Sequence, residues 1–364
     1  METAILYLSG SDAVEAAIKL LLQHHAERGQ PERTVFVARY QSYHGTTFGA
    51  LSVGSFYTRR KPFEEVLMNV PRVSACNPYR NMKSEETDQQ YVARLRADLE
   101  QTFVDVGPAK IAGFICEPVV GAALGCMTAV PGYLQAVREV CDKYHVPLVF
   151  DEIMCGWGRC GTLHAWQDEG VVPDIQLLGK GLVGGYEPLS AMLISKKLDS
   201  TDAIRNGSGY FNHGHTIQGM PKTCAGALEA MKMVQELLPN VRAMGERLMR
   251  GLRARLGVHA NVGDIRGKGL FIGIEFVLDK LSKAAFNPDD KVAVKIHEMG
   301  LTNPHNIHVY PGTGSATPHG RDGDHIIIAP PYDVNEVEVD FIVDRVGDLV
   351  EHFFEEHKPT AQLL

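Results

Sequence analysis

Apolar and polar positions follow two different spacings along the first half of the chain. Short continuous runs of Val, Ile, Leu and Phe are typical of buried β-strands, whereas Ser11 to Gly29 shows the i, i+3, i+4 spacing of an amphipathic helix. Asp12 followed by Glu15 predicts a capping box there, and Gly29 suits the helix end. The predicted strands are AILYL, RTVFVARY, IAGFICEPVV, VPLVFDEIM and DIQLLGKG.

Continuous apolar strands between amphipathic helices, such as PGYLQAVREVCDKYH, predict an α/β fold whose mostly parallel sheet is covered by helices on both faces. From about Pro239 the pattern changes to a basic amphipathic helix, one strand (GLFIGIEFV) and a long terminal helix. We therefore predict a large α/β domain over residues 1–238 and a smaller C-terminal α+β domain over 239–364.

Composition narrows the function classes. The 364 residues are 45% hydrophobic and 22% charged, as in ordinary globular proteins, and the net charge of −8 argues against nucleic-acid binding. No apolar run reaches the length of a membrane span, and the first residues lack a basic signal-peptide region. The seven cysteines form no C-x-x-C motif, which favours free thiols and a cytoplasmic location.

Three short motifs resemble known binding motifs, but the residues around each of them argue against that function. GWGRCG (156–161) matches a dinucleotide fingerprint, with Asp174 18 residues after Gly156, but no helix pattern opens directly from it. GDIRGKGL lacks the spacing of a nucleotide-binding P-loop. HGH (213–215) has no acidic or Cys partner at helical spacing, so an ordinary loop is favoured and no metal is predicted.

Three other positions combine into one kind of chemistry. Gly10-Ser11 lies between a predicted strand and a helix, where free N–H groups bind phosphate or simply form an N-cap. Asp151 ends a predicted buried strand, where its carboxylate either faces a ligand or forms a structural pair with Arg159. Lys180 follows the next predicted strand and is either a reactive amine or a solvated lysine of a loop. An anion site, a carboxylate and a lysine are what pyridoxal phosphate (PLP) requires.

Longer motifs resemble one family over nearly the whole chain. The sequence is similar to the class III PLP-dependent aminotransferases, the ω-aminotransferase group of fold type I, in the following segments: SGSDAVEAAIKL, YQSYHGTTFGALSVG, ICEPVVGAALGCMTAVPGYLQAVREVCDKY, LVFDEIMCGWGRCGTLHAW, PDIQLLGKGLVGGYEPLSAML, IRGKGLFIGIEFV and GDHIIIAPPY. The resemblance implies transfer of an amino group from an amine or amino acid to an oxo acid. It also implies a seven-stranded, mostly parallel sheet.

The resemblance assigns catalytic roles to three residues. Lys180 would hold PLP as a Schiff base, Asp151 would pair with the pyridine nitrogen, and Tyr43 would stack on the ring. Ile153 would contact the opposite ring face. The flanking glycines of Lys180 would let the backbone pass close to the cofactor.

The remaining cofactor contacts implied by the resemblance come from separate motifs. Gly10 and Ser11 would hold the phosphate, Glu117 would support the site from the next strand, and His44 would contribute beside Tyr43. Thr216 would reach the phosphate of a neighbouring subunit. The expected assembly is therefore a homodimer with shared active sites.

Several positions depart from the family pattern. Val120 and Ala122 replace the Gln and Glu of the ornithine branch, and Ile327 replaces an Arg of the dialkylglycine decarboxylase branch. Arg321, nine residues before Pro330, is the candidate for binding a substrate carboxylate, although it could equally be a loop charge paired with a nearby Asp. Family members carry a substantial segment before SGSDA, so we expect an N-terminal segment to be missing here and the pocket to lack a wall.

An open pocket leaves other outcomes available. Besides transamination, PLP chemistry at this scaffold includes decarboxylation, racemisation and β/γ-elimination or substitution, because one carbanion serves all of them. A chain that binds PLP without turnover is disfavoured, since Lys180, Asp151 and Tyr43 are all retained.

Overall fold

A computed structural model describes residues 1–198 and 200–357. The helices are α1 Gly10–Glu27, α2 Phe48–Val53, α3 Tyr57–Arg60, α4 Pro78–Asn81, α5 Asp88–Val106, α6 Tyr133–Lys143, α7 Ser200–Asn206, α8 Pro221–Leu256, α9 Val292–Gly300 and α10 Glu336–Glu356. The strands are β1 Thr3–Tyr7, β2 Val35–Arg39, β3 Arg72–Val73, β4 Ile111–Cys116, β5 Val119–Val120, β6 Met127–Thr128, β7 Leu148–Asp151, β8 Ile175–Leu178, β9 Ser190–Ile194, β10 Val262–Lys268, β11 Phe271–Phe276, β12 Tyr310–Thr313 and β13 Asp324–Ile328. Within these ranges, no helix is both long and apolar enough to cross a membrane.

The large sheet has seven strands in the order β1-β9-β8-β7-β4-β2-β3. Neighbouring strands from β8 to β3 are parallel, and β9 is antiparallel to both β8 and β1. The predicted mostly parallel sheet is confirmed. The parallel strands β8, β7, β4, β2 and β3 have their carboxyl ends at one edge, where ligands bind in open α/β sheets.

Both faces of this sheet are buried. Alternate side chains of β7 enter different cores: Val149 packs on the side of α1, while Leu148 and Phe150 pack on the side of α5 and α6. This two-sided burial explains why the strands read as continuous apolar runs rather than as alternating patterns.

A second core belongs to the C-terminal part. A four-stranded antiparallel sheet, in the order β10-β11-β13-β12, packs with α9, α10 and the later part of α8. The predicted boundary at 238/239 lies inside α8, which continues through Pro239. The side chains of α8 that enter this second core begin at Val241, so the division into two domains stays a prediction whose boundary falls within one helix.

Local details differ from two sequence predictions. Helix α1 is capped by Ser9 and not by Asp12: the Ser9 hydroxyl accepts from the Asp12 amide and the Asp12 carboxylate accepts from the Ser9 amide. A shorter N-cap side chain at residue 9 thus displaces the predicted capping box. The predicted strand IAGFICEPVV is interrupted at Pro118, which has no N–H to donate, and forms the separate strands β4 and β5.

Candidate active site

The carboxyl edge of the large sheet encloses a small cavity of about 120 Å³. Three of its residues lie at or just beyond the ends of neighbouring strands: Asp151 ends β7, Glu117 follows β4, and Lys180 follows β8 after one glycine. The residues that line the cavity are Gly10, Ser11, Tyr43, His44, Gly45, Glu117, Asp151, Ile153, Met154 and Lys180. The sheet therefore brings together groups that are up to 170 positions apart in the sequence, the separation of Gly10 and Lys180.

Lys180 occupies a strained position at the mouth of this cavity. Its φ angle is 46°, in the left-handed region that non-glycine residues seldom adopt and that is enriched at functional sites. The residue as a whole is exposed to solvent. Protein atoms nevertheless surround the amine closely enough that burial lowers its pKa, against the opposing effect of the Asp151 and Glu117 carboxylates. A lowered pKa increases the fraction of free amine, the form that is nucleophilic.

The Asp151 carboxylate is fixed by two partners. Its Oδ2 lies 2.8 Å from Nδ1 of His44, and its Oδ1 accepts a 3.0 Å hydrogen bond from the Ile153 amide. Both Asp151 and His44 are buried, and Nε2 of His44 has no hydrogen-bond partner among the described residues. Arg159 does not pair with Asp151, because its guanidinium donates to the carbonyls of Leu270 and Pro330. Asp151 is thus held in place without a cationic arginine.

Glu117 braces the loop that carries Tyr43. One carboxylate oxygen accepts from the Tyr43 amide at 3.2 Å, and the other accepts from the Gly121 amide at 3.1 Å. Burial raises the pKa of Glu117. The half-buried Tyr43 ring packs edge-on against Phe56, with 6.0 Å between ring centroids. The ring of Tyr43 is therefore oriented from both its backbone and its side chain.

The start of α1 supplies the anion-binding part of the cavity. The first N–H groups of a helix have no intrahelical acceptor, and here they belong to Gly10 and Ser11 at the cavity wall. The Ser11 hydroxyl accepts from the Thr46 amide at 3.0 Å, which joins this turn to the segment after His44. A Cβ at Gly10 would lie 2.8 Å from Cδ1 of Ile153, so only glycine lets the turn approach the strand end this closely.

These groups fit pyridoxal phosphate by the chemistry of their donors and acceptors. The cavity offers one amine, one carboxylate fixed by a histidine, one aromatic ring and a helix start with a hydroxyl. Glycine at position 10 lets the helix start lie directly against Ile153, so that both form the wall of the same cavity. Lys180 would bind the aldehyde, Asp151 the ring nitrogen, and Gly10 with Ser11 the phosphate.

The structure brings eight of the ten predicted site residues into the walls of this cavity, and the other two lie elsewhere. Thr216 is exposed and does not line the cavity. Arg321 is also exposed and lines a separate cavity of about 880 Å³, together with Arg80, Lys295 and Asp322. Neither position therefore contacts the Lys180 cavity within one chain.

Sequence reasoning missed two lining residues, Gly45 and Met154. Gly45 has a φ of 132°, and a Cβ added at this position would lie only 2.5 Å from the Ser11 Oγ. Glycine is therefore needed here. Gly45 directly follows His44 in the family motif YQSYHGTTFGALSVG, so the sequence could have indicated it. Met154 likewise follows a predicted site residue, Ile153, within the motif LVFDEIMCGWGRCGTLHAW.

Comparison with known proteins decides the family. The family model for aminotransferase class-III matches residues 1–311. The chain belongs to the class III aminotransferase family. Amino-group transfer by this family depends on PLP, so this chain is a PLP-dependent aminotransferase by family.

Individual relatives agree with this placement. An aminotransferase of Gibberella zeae is 47% identical over 357 residues, which cover 96% of this chain and 69% of the relative. An uncharacterised aminotransferase of Schizosaccharomyces pombe is 42% identical, over 94% of this chain and 74% of the relative. An amine transaminase from an uncultivated Pseudomonas species, solved in its PLP-bound form, superposes with a TM-score of 0.87 at 31% identity, over 97% of this chain and 77% of that one. The predicted fold type I is thereby confirmed.

Proposed function

We propose that this aminotransferase uses Lys180 as the lysine that binds the cofactor aldehyde and moves the substrate proton. The observation that carries the proposal is the meeting, in one cavity of about 120 Å³, of the Lys180 amine, the His44-bound Asp151 carboxylate and the start of α1. Substrates are an amine or amino acid as donor and an oxo acid as acceptor.

PLP, when bound, supplies an electron sink for bond breaking at the substrate's α-carbon. Lys180 would hold the cofactor through its free amine, the form that its lowered pKa favours, and the same amine would accept and return the substrate's α-proton. Asp151 would keep the ring nitrogen protonated, and His44, 2.8 Å from its carboxylate, fixes the orientation of that group. Tyr43 and Ile153 exclude water from the ring, since both line the cavity.

Borohydride reduction of the holoenzyme tests the role of Lys180. Reduction makes the lysine–cofactor link permanent, and we expect the pyridoxyl mass on the peptide that contains LLGKGL. The exposed Lys232, which pairs with Glu229 away from the cavity, serves as the internal control and should stay unmodified. A label on another lysine, with Lys180 unmodified, would refute the proposal.

We infer that the enzyme acts as a homodimer with active sites at the subunit interface. Large apolar side chains are exposed on segments next to the cavity residues: Phe48 is 61% and Tyr186 is 90% exposed. Further exposed apolar residues flank Thr216, namely Ile217 and Met220. Exposed large apolar side chains of this kind are typical of association surfaces, and in the proposed dimer Thr216 would lie at the partner's cavity.

Light scattering and subunit mixing test this assembly. The holoenzyme should have twice the 40.0 kDa mass of one chain. Mixing inactive Lys180→Ala chains with inactive Thr216→Glu chains should restore part of the activity, because a mixed dimer contains one site with both native residues. A fully active monomer would contradict the proposal.

Arg321 is proposed to bind the substrate carboxylate from a mobile position. The side chain is exposed and faces a cavity other than that of Lys180, so this role requires its loop to swing toward the substrate. Arg321→Ala should then raise KM for carboxylate-bearing donors by roughly 10- to 100-fold, as expected for the loss of a charge-assisted pair. Amines without a carboxylate should be little affected. Equal losses for both donor types would assign Arg321 a structural role instead.

We further infer a reducing compartment such as the cytoplasm. All seven cysteines are free thiols, and six of them are buried. Thiols kept unpaired in a protein are typical of compartments that maintain reducing conditions.

A further inference from the structure

A second, larger cavity of about 560 Å³ lies at the amino edge of the same sheet. Its walls include residues just before strands: Pro147 directly precedes β7, Asp174 directly precedes β8, and Arg33 lies two residues before the start of β2. The catalytic residues lie beyond the opposite ends of these strands, so the two cavities are separated by at least the length of a strand, about 13 Å for four residues.

Cationic side chains dominate the walls of this amino-edge cavity. The described lining residues include four Lys or Arg side chains (Arg28, Arg33, Arg138 and Lys197), three histidines (His24, His25 and His145) and two carboxylates (Asp142 and Asp174). Both carboxylates already have cationic partners. Arg138 lies 2.7 Å from Asp174 and 2.7 Å from Asp142, and Lys197 also pairs with Asp142.

Arg33 is a buried cation without a carboxylate contact among the described residues. It is 8% exposed, and its guanidinium donates 2.8 Å hydrogen bonds to the carbonyls of Ile111 and His145. Burial lowers its pKa, and the exposed Glu32 acts on it only through space. Neutral carbonyls do not cancel a buried positive charge, which is expensive unless an anion compensates it.

His24 gives a second, independent indication of a ligand. It is 6% exposed, lines the cavity, and its Nδ1 has no hydrogen-bond partner among the described residues. Burial together with the charges of His25 and Arg28 lowers its pKa to about 4. An anion in the cavity would remove both penalties, because it would accept a hydrogen bond from His24 and oppose the neighbouring positive charges.

We propose that the amino-edge cavity binds an anion bearing phosphate groups, through Arg33, His24 and Lys197. Arginine and lysine are the usual partners of phosphate, and arginine offers it paired N–H donors. Lys197 stands at the rim with a side chain that is 60% exposed, so it can change partner from Asp142 to an incoming anion. The volume is sufficient for a phosphate ester as well as for an inorganic anion. This site does not depend on the role assigned to Lys180.

Calorimetric titration of PLP-saturated holoenzyme with inorganic pyrophosphate tests the proposal at constant ionic strength. We expect binding at roughly 0.1 mM, the range that two or three charge-assisted contacts provide. Arg33→Gln and Lys197→Gln should each weaken it, by about tenfold or more for the buried arginine and by about threefold for the rim lysine. Lys232→Gln, at an exposed pair elsewhere, is the matched control and should bind as wild type does.

The outcomes are separable. An unchanged visible spectrum of the bound cofactor during the titration shows that pyrophosphate does not displace PLP from the Lys180 cavity. No binding below about 10 mM, or binding that both variants leave unchanged, would overturn the proposal. If Arg33→Gln fails to fold, the exposed Lys197→Gln decides the matter, because its side chain contributes little to packing.

Discussion

Asp151 and Asp174 are two aspartates with the same burial and opposite surroundings. Each is 4% exposed, and each lies at a terminus of neighbouring strands, Asp151 at the end of β7 and Asp174 before β8. Asp151 faces the Lys180 cavity and is held by His44 and a backbone amide. Asp174 is bound by Arg138 and by the Leu148 amide, both at 2.7 Å. Burial alone therefore does not mark a catalytic acid, whereas the partners do.

The difference reflects the two edges of one sheet. At the amino edge, Asp174 ties β8 to the start of β7 and to α6, so its charge is used in holding strands together. At the carboxyl edge, the bonds to Asp151 fix its orientation and leave it on the wall of a cavity. Replacing Asp151 should therefore alter the chemistry, whereas replacing Asp174 should alter the stability.

The largest effect is expected at Lys180. Lys180→Ala removes the amine that both binds the cofactor and moves the proton, so turnover should fall by roughly 10³-fold or more. The variant should still bind PLP through the remaining contacts, with a shifted visible absorbance. Circular dichroism should show an unchanged fold. Residual turnover near that of wild type would place the chemistry on another residue.

Asp151→Asn comes next. Loss of the carboxylate makes the ring nitrogen lose its proton more readily, and we expect kcat to fall by about 10²-fold. The melting temperature of the apoprotein should change little, because the amide keeps the shape of the side chain. Wild-type kcat in this variant would show that Asp151 is structural and would remove the contrast with Asp174.

Asp174→Asn is the matched change at the other edge. It weakens a buried ion pair with Arg138, which should reduce the free energy of unfolding by about 2–3 kcal/mol. The kcat should stay within about twofold of wild type below the melting transition. Urea unfolding and steady-state kinetics on the same preparations measure both quantities. A large loss of kcat with normal stability would contradict the proposed division between the two edges.

The smallest effect concerns Glu152, the neighbour of Asp151. Its carboxylate accepts from the amides of Ala165 and Trp166 and from Gln176, yet burial raises its pKa to about 7. Because the pKa of Glu152 is higher in the folded than in the unfolded protein, its protonated carboxyl group contributes to the free energy of unfolding. This contribution is fully present at pH values below about 4.5 and is lost as the pH rises through about 7.

Glu152→Gln should remove this pH dependence. The melting temperature of wild type minus that of the variant should decrease by about 2–4 °C between pH 4.5 and pH 7.5. Scanning calorimetry across that range, with the apoprotein, measures the difference. A constant difference would show that Glu152 titrates in the folded state as it does in the unfolded state.

Local sequence patterns were sufficient for five of the seven strands of the large sheet, all but β3 and β9, and for the residues at their ends. Whether a segment forms a strand depends mainly on side chains that are close together in the sequence. Asp151 ends one apolar run, and Lys180 follows another after a single glycine. The parallel order then places those ends at one edge without further information. For this reason eight predicted site residues meet in the walls of the cavity.

Contacts between distant segments were beyond the reach of such patterns. The pairing of His44 with Asp151 joins residues 107 positions apart. The cavity faced by Arg321 depends on how its loop packs. The predicted capping box at Asp12 was wrong for a different reason, because the box is formed one turn earlier by Ser9 with Asp12, a local pair three residues apart.

The sequence by itself thus determined the parallel sheet, the family and the lysine at the end of β8. Only the tertiary structure decided which aspartate pairs with a histidine and which with an arginine, and that Arg33 and His24 share a cavity at the amino edge. The physical reason is that periodicity reports which side of an element is buried, whereas the partner of a buried charge is set by segments that fold against it from elsewhere in the chain.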